Sequence, residues 1–110
     1  MAITDADYFD WPVLPEAPSS LNISVSGNSA KLSWEVHGGD PTGIVVERKI
    51  ENAGDAKESW TQIAKLTNNA TDYGDSTLRK GEHFAYRVRA FNSEGESAYS
   101  NIARGAVSSR

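Results

Sequence analysis

Between His83 and Asn92 apolar and polar side chains alternate in the longest clean run of the chain, with Phe84, Tyr86, Val88 and Ala90 on one face and Arg87, Arg89 and Phe91 on the other. A period of two over aromatic and branched residues predicts a strand with one buried and one wet face. A single strand cannot hide such a face, so the remaining chain has to supply a second layer.

Upstream the same period recurs. Leu21, Ile23 and Val25 alternate with Asn22 and Ser24, and after a turn at Gly27-Asn28 so do Ala30, Leu32, Trp34 and Val36 with Lys31, Ser33 and Glu35. The two runs predict a hairpin with Trp34 on its inner face. His37 to Gly43 reads as a loop from its glycines and proline. Ile44, Val46 and Arg48 then alternate with Val45, Glu47 and Lys49. From Trp60 to Leu66 a further strand is expected, but Ile63 and Leu66 are three apart, which calls for a bulge or an early end. A short strand around Tyr73 within Asn69 to Asp75, the central strand, a hairpin loop at Asn92 to Glu96 and a last strand from Ser97 to Ala106 complete the pattern. Seven short strands separated by turn signals, with no helical stripe, predict an all-β sandwich.

At 110 residues the chain fits one domain and can bury a core without disulfides, of which it has none because it lacks cysteine. The stretch from Met1 to Leu14 shows neither period; it is acidic and aromatic, with Asp5, Asp7, Asp10, Tyr8, Phe9 and Trp11, and reads as a tail or linker. Pro12, Pro15 and Pro18 keep the entry extended. The expected organisation is a tail over 1–14, one domain over 15–107 and a short tail over 108–110. The opening residues lack the basic and apolar regions of a signal peptide, and both ends read as cut ends of a longer chain. A formal charge of −4 argues against phosphate-dominated nucleic-acid binding. No apolar run approaches the roughly 20 residues of a spanning helix.

Candidate chemistry is sparse. His37 and His83 lie in or beside loops with no serine, cysteine or metal-spaced partner in the sequence, so no catalytic, metal or cofactor residue is assigned. The three early aspartates lack the glycine turn and closing glutamate of a calcium loop. Asn22-Ile-Ser and Asn69-Ala-Thr fit the glycosylation pattern, a short match that matters only in a eukaryotic secretory pathway. Glu47, Arg87 and Arg89 should point outward and pair across strands. Trp60, Phe91, Tyr99 and Trp11 are aromatics that the alternation does not bury; with Arg87 and Arg89, the first three form the possible ligand-binding surface.

These residues also resemble a known family, the fibronectin type III domain, from about Pro15 to Ala106. Its landmarks are Leu32-Ser33-Trp34, Gly43-Ile-Val-Val-Glu-Arg48, Leu78-Arg-Lys-Gly81 and Phe84 to Asn92, closed by Gly95-Glu-Ser97. The turns at Trp60-Thr-Gln-Ile-Ala and Ser97-Ala-Tyr-Ser-Asn101 look most like modules of bacterial extracellular enzymes acting on polysaccharides. The resemblance implies a seven-stranded immunoglobulin-like sandwich with antiparallel sheets A-B-E and C'-C-F-G. It further implies a monomeric, non-catalytic spacer or interaction module of a larger secreted or cell-surface protein. Its partners would be other domains of the same parent chain, with protein or polysaccharide as further partners; a carbohydrate- or protein-binding module using the outer C-F-G face or its loops is the alternative. One departure concerns the corner tyrosine of the family, whose place is taken by Phe84, with Tyr86 two residues on. Neither an Arg-Gly-Asp in the loop Asn92 to Glu96 nor a Trp-Ser-x-Trp-Ser near Ser97 is present.

Overall fold

The computed structural model describes residues 14–39, 41–51, 59–67 and 70–108. Along these the chain forms β1 (Ser19–Ser26), β2 (Ser29–Glu35), β3 (Gly43–Ile50), β4 (Thr61–Thr67), β5 (Asp72–Asp75), β6 (His83–Asn92), β7 (Gly95–Glu96) and β8 (Ala103–Ala106), with no helix among the described residues. One antiparallel sheet has the order β1-β2-β5. The other runs β4-β3-β6-β7, and β8 also pairs β6. This is the expected sandwich, with β1-β2-β5 as the sheet A-B-E and β4-β3-β6 as C'-C-F, β7 and β8 together taking the place of G. The expected tail over 1–14 falls almost entirely outside the described residues.

The core follows from the alternation. Leu32 and Trp34 of β2 face Ile44 and Val46 of β3 and Phe84, Tyr86, Val88 and Ala90 of β6, and all of them are buried in one cluster with Leu21, Leu78 and Val107. Trp34 has its ring in the core while its indole N–H donates to the Ala70 carbonyl at 2.8 Å, which satisfies the one polar atom of the side chain. The irregularity expected near Ile63 is present. Val46 pairs Ala64 and the next residue, Glu47, pairs Gln62, so Ile63 is the extra residue of a bulge.

Two expectations need correction. Val25 is 37% exposed and Ile23 only half-buried, so of the apolar residues in β1 Leu21 alone is fully in the core. The register of β1 against β2 shifts between Ser19 and Asn22, where Ser20 adopts a φ of 56°. Asn101 patches that break, its amide accepting from Leu21 N at 2.9 Å and donating to Leu21 O at 3.1 Å.

The last strand is also not continuous, since Phe91 pairs Glu96 and Tyr86 pairs Ala103 while more residues lie between on the returning side. Serine hydroxyls bridge the interruption. Ser97 N donates to Ala90 O at 2.8 Å, and its Oγ accepts a hydrogen bond from Ala90 N at 2.9 Å; Ser100 does the same with Val88 at 2.8 and 3.1 Å. Each serine thus offers its side-chain oxygen where a regular strand offers a carbonyl, so the buried β6 N–H groups stay paired through the bulge.

A guanidinium and aromatic ladder on the outer sheet face

Odd-numbered residues of β3 and β6 point away from the core, so Val45, Glu47 and Lys49 share the outer face with Arg87, Arg89 and Phe91. Register sets Glu47 directly opposite Arg87. The Arg87 guanidinium gives Nε and Nη2 to Glu47 Oε1, both at 2.8 Å. Glu47 Oε2 accepts from the Tyr99 hydroxyl at 2.9 Å, and the residue is 8% exposed. Tyr99 reaches it because it lies between Ser97 and Ser100, in the bulge that those two serines hold.

Arg87 then stacks. Its guanidinium carbon is 3.7 Å from the Tyr99 ring centroid and 4.2 Å from that of Trp60. Arg89 lies 4.7 Å from the Tyr99 centroid and Lys49 5.2 Å from that of Trp60. Planar cations on aromatic faces at such distances are attracted by the ring quadrupole. Burial and the hydrogen bond to Glu47 both push the Tyr99 hydroxyl pKa up, against the opposing pull of Arg87 and Arg89. Four of the five predicted surface residues, Trp60, Arg87, Arg89 and Tyr99, therefore converge. Phe91 stands apart, covering Gly43 on the neighbouring strand, with Lys65 at 4.9 Å from its ring. Arg89 pairs not with Glu47, as the outward set suggested, but with Glu96 at 3.2 Å. Trp11, the other unburied aromatic of the sequence, lies outside the described residues.

A second cluster escaped the sequence. The Tyr86 hydroxyl donates to Asp75 Oδ2 at 2.7 Å, Arg48 Nη1 bonds the same oxygen at 2.7 Å, and Asp75 Oδ1 accepts from Thr77 N at 3.0 Å and Thr77 Oγ1 at 2.6 Å. Burial alone would raise the Asp75 pKa, but the bonds from Thr77, Tyr86 and Arg48 outweigh it and hold the carboxyl below its ordinary value. The signal was present in Tyr86 itself, a phenol on an inward face that has to find an acceptor. His37 also has a partner that its neighbours in sequence did not reveal, with Nε2 2.7 Å from Ser19 Oγ at an exposed position. No group of three His, Cys, Asp or Glu side chains among the described residues could hold a metal ion. Asn22 is exposed and donates its amide to Ser20 O at 3.0 Å; Asn69 lies outside the described residues.

Known proteins match this architecture. The chain is 28% identical over 86 residues to the cell adhesion molecule Dscam1 of Drosophila melanogaster, covering 77% of this chain and 4% of that protein. An Fn3-like protein from Clostridium thermocellum superposes with a TM-score of 0.66 at 27% identity, over 82% of this chain and 90% of that one. Pectate lyase Pel3 from Pectobacterium carotovorum gives a TM-score of 0.67 at 22% identity over 83% of this chain and 27% of its own, a likeness of fold alone. The family model for the fibronectin type III domain matches residues 16–105, and with the two sheets, the buried Trp34 and the β6 alternation in place, the chain belongs to the fibronectin type III family.

Proposed function

We propose that this domain is a non-catalytic spacer or interaction module over residues 15–107, joined to other domains of a larger secreted or cell-surface protein. The observation that carries the reading is the position of Arg87, held by Glu47 and stacked on both Tyr99 and Trp60. Side chains that looked available for a ligand are engaged with one another, and their contacts tie β3 and β6 to the segment between β7 and β8. A sugar ring stacking on Tyr99 would compete with two guanidinium groups, and one on Trp60 with a guanidinium and an ammonium. The similarity to Dscam1 supports a cell-surface parent.

Binding of the domain to insoluble polysaccharides and to a glycan array tests this. No retention is expected. Retention abolished by Trp60→Ala or Tyr99→Ala would overturn the spacer reading in favour of a carbohydrate-binding face. Turnover of an ester or glycoside panel by the domain would overturn its non-catalytic part.

A further inference from the structure

Charge, brevity and bulges are what keep the edge of a sheet from pairing with another chain. Most edges of the sandwich carry such a guard. β4 has Lys65 and the bulge at Ile63, β5 is four residues long with an aspartate at each end, β7 has two residues, and β8 carries Arg104. β1 is eight residues long, and its one irregularity lies before Asn22. It belongs to the longest uncharged run of the sequence, Ala17 to Ala30, on a protein of net charge −4.

The ladder fixes which groups of β1 face outward. Trp34 N donates to Thr71 O, just before β5, so the even-numbered residues of β2 turn their N–H and C=O groups to β5 and the odd-numbered ones to β1. Ser33, Lys31 and Ser29 pair Asn22, Ser24 and Ser26, which leaves the groups of Leu21, Ile23 and Val25 pointing off the sheet. On that side Leu21 is held by Asn101, whereas Ile23 and Val25 have no backbone partner among the described residues. Their side chains lean over Gly105 of β8, where an added Cβ would lie 2.7 Å from Ile23 Cδ1 and 3.3 Å from Val25 Cγ2. Val25 remains exposed even so, as does Ile102 beside Asn101.

Around Ser24 the pattern reads the same in both directions, polar and apolar by turns through Asn22, Ile23, Ser24, Val25 and Ser26. An antiparallel copy centred there sets Ile23 against Val25 of the second copy, Val25 against its Ile23, and Asn22 against its Ser26. Each free residue then exchanges both of its backbone bonds, aliphatic side chains meet on the inner side, and neutral polar ones meet on the outer. A slip of one residue sets each free residue against one that faces its own β2. A slip of two keeps a single bonded pair, because Leu21 is held by Asn101 and the chain turns back at Gly27, with φ 59°.

We propose that β1 is a self-association edge, through which two copies of this chain join antiparallel about a two-fold axis at Ser24 and merge their β1-β2-β5 sheets into one. The occupant is the same strand because the edge asks for uncharged apolar residues on either side of a small one, and β1 supplies them in the matching order. A two-fold contact closes on itself, so the assembly stops at a dimer. The inference adds pairing to the module reading, which does not depend on it, and departs from the monomer implied by the resemblance.

An interface of this size belongs to the weak, transient class, so sedimentation equilibrium of the full chain is read at concentrations up to about 1 mM. The average mass should climb towards that of a dimer. Asn22 and Ser26 are exposed and away from the core, which leaves the fold intact when they are changed. Asn22→Lys with Ser26→Lys sets like charges opposite each other at both ends of the seam and should weaken the dimer roughly tenfold. Asn22→Lys with Ser26→Glu sets Lys opposite Glu and should bring association back to the parent level or beyond. A monomer at every concentration overturns the proposal. So do double variants that behave alike, because the copies then meet through another surface or in another register. The absence of cysteine allows a separate reading. Ser24→Cys should oxidise to a covalent dimer, since directly opposed Cβ atoms lie about 4.5–5.5 Å apart, within reach of a disulfide after a small adjustment. Ser33→Cys, exposed on β2, should not, and equal cross-linking of the two variants overturns the axis at Ser24.

Discussion

The Tyr86 hydroxyl and Asp75 Oδ2 are 2.7 Å apart, and through them β6 of one sheet is bonded to β5 of the other inside the core. Phe84, at the family's corner-tyrosine place, is wholly buried and packs edge-on to Tyr86 with ring centroids 5.5 Å apart. The Tyr86 bond ends on a side chain. Tyr86→Phe removes one donor from a buried carboxylate that keeps Thr77 and Arg48. Its expected cost is about 1–3 kcal/mol, read as a lower urea midpoint with an unchanged slope. An unchanged midpoint would mean the bond contributes nothing net.

The same carboxyl sets an acid limit. Its folded pKa lies below the unfolded value of about 3.9, so its contribution to stability is present above that value and lost as pH falls through the lower, folded one. Asp75→Asn is expected to be less stable than the parent at neutral pH and to lose less on acidification below about pH 4. Equal losses for parent and variant, by urea titration at both pH values, would remove Asp75 as the source.

Gly43 is required by what lies over it rather than by its backbone angle. An added Cβ would run into the Leu66 carbonyl and the Phe91 ring. Gly43→Ala should cost about 1–3 kcal/mol through overpacking. Adding Phe91→Leu should recover part of that loss and not all, because the backbone carbonyl of Leu66 remains. Full recovery would show that the ring alone demands glycine here.

Alternation made the core readable, because in β2 and β6 every second side chain faces the other sheet, and the spacing of Ile63 and Leu66 announced the β4 bulge. The interruption after β7 left no such trace. Ser97 and Ser100 read as ordinary polar strand positions, and their hydroxyls act as ladder acceptors only once Ala90 and Val88 are beside them. Asp75 read as the end of a short strand, since nothing local says that Arg48 and Tyr86 will converge on it. On the outer face the residue types were visible and their pairing was not. Glu47 meets Arg87 through strand register, while Arg89 is drawn to Glu96 by the return of the chain at Gly95.

Arg87 is where charge pairing and ring stacking meet, and the two can be separated. Arg87→Lys keeps the charge beside Glu47 but loses the planar group that lies on Tyr99 and Trp60. Stacking at a part-buried site contributes about 0.5–2 kcal/mol, so Arg87→Lys should be less stable than the parent by that order. Arg87→Ala should cost more, since it also leaves the Glu47 carboxylate, 8% exposed, with Tyr99 as its remaining side-chain donor. A double-mutant cycle of Arg87→Lys with Tyr99→Leu measures the coupling of the guanidinium to Tyr99, through the ring and through the Glu47 carboxylate that both side chains bond. The double variant should be more stable than the sum of the single losses implies, because each change alone already removes the shared contact. Strict additivity in that cycle would mean that the 3.7 Å approach of guanidinium to ring adds no stability and that Glu47 alone holds Arg87 in place.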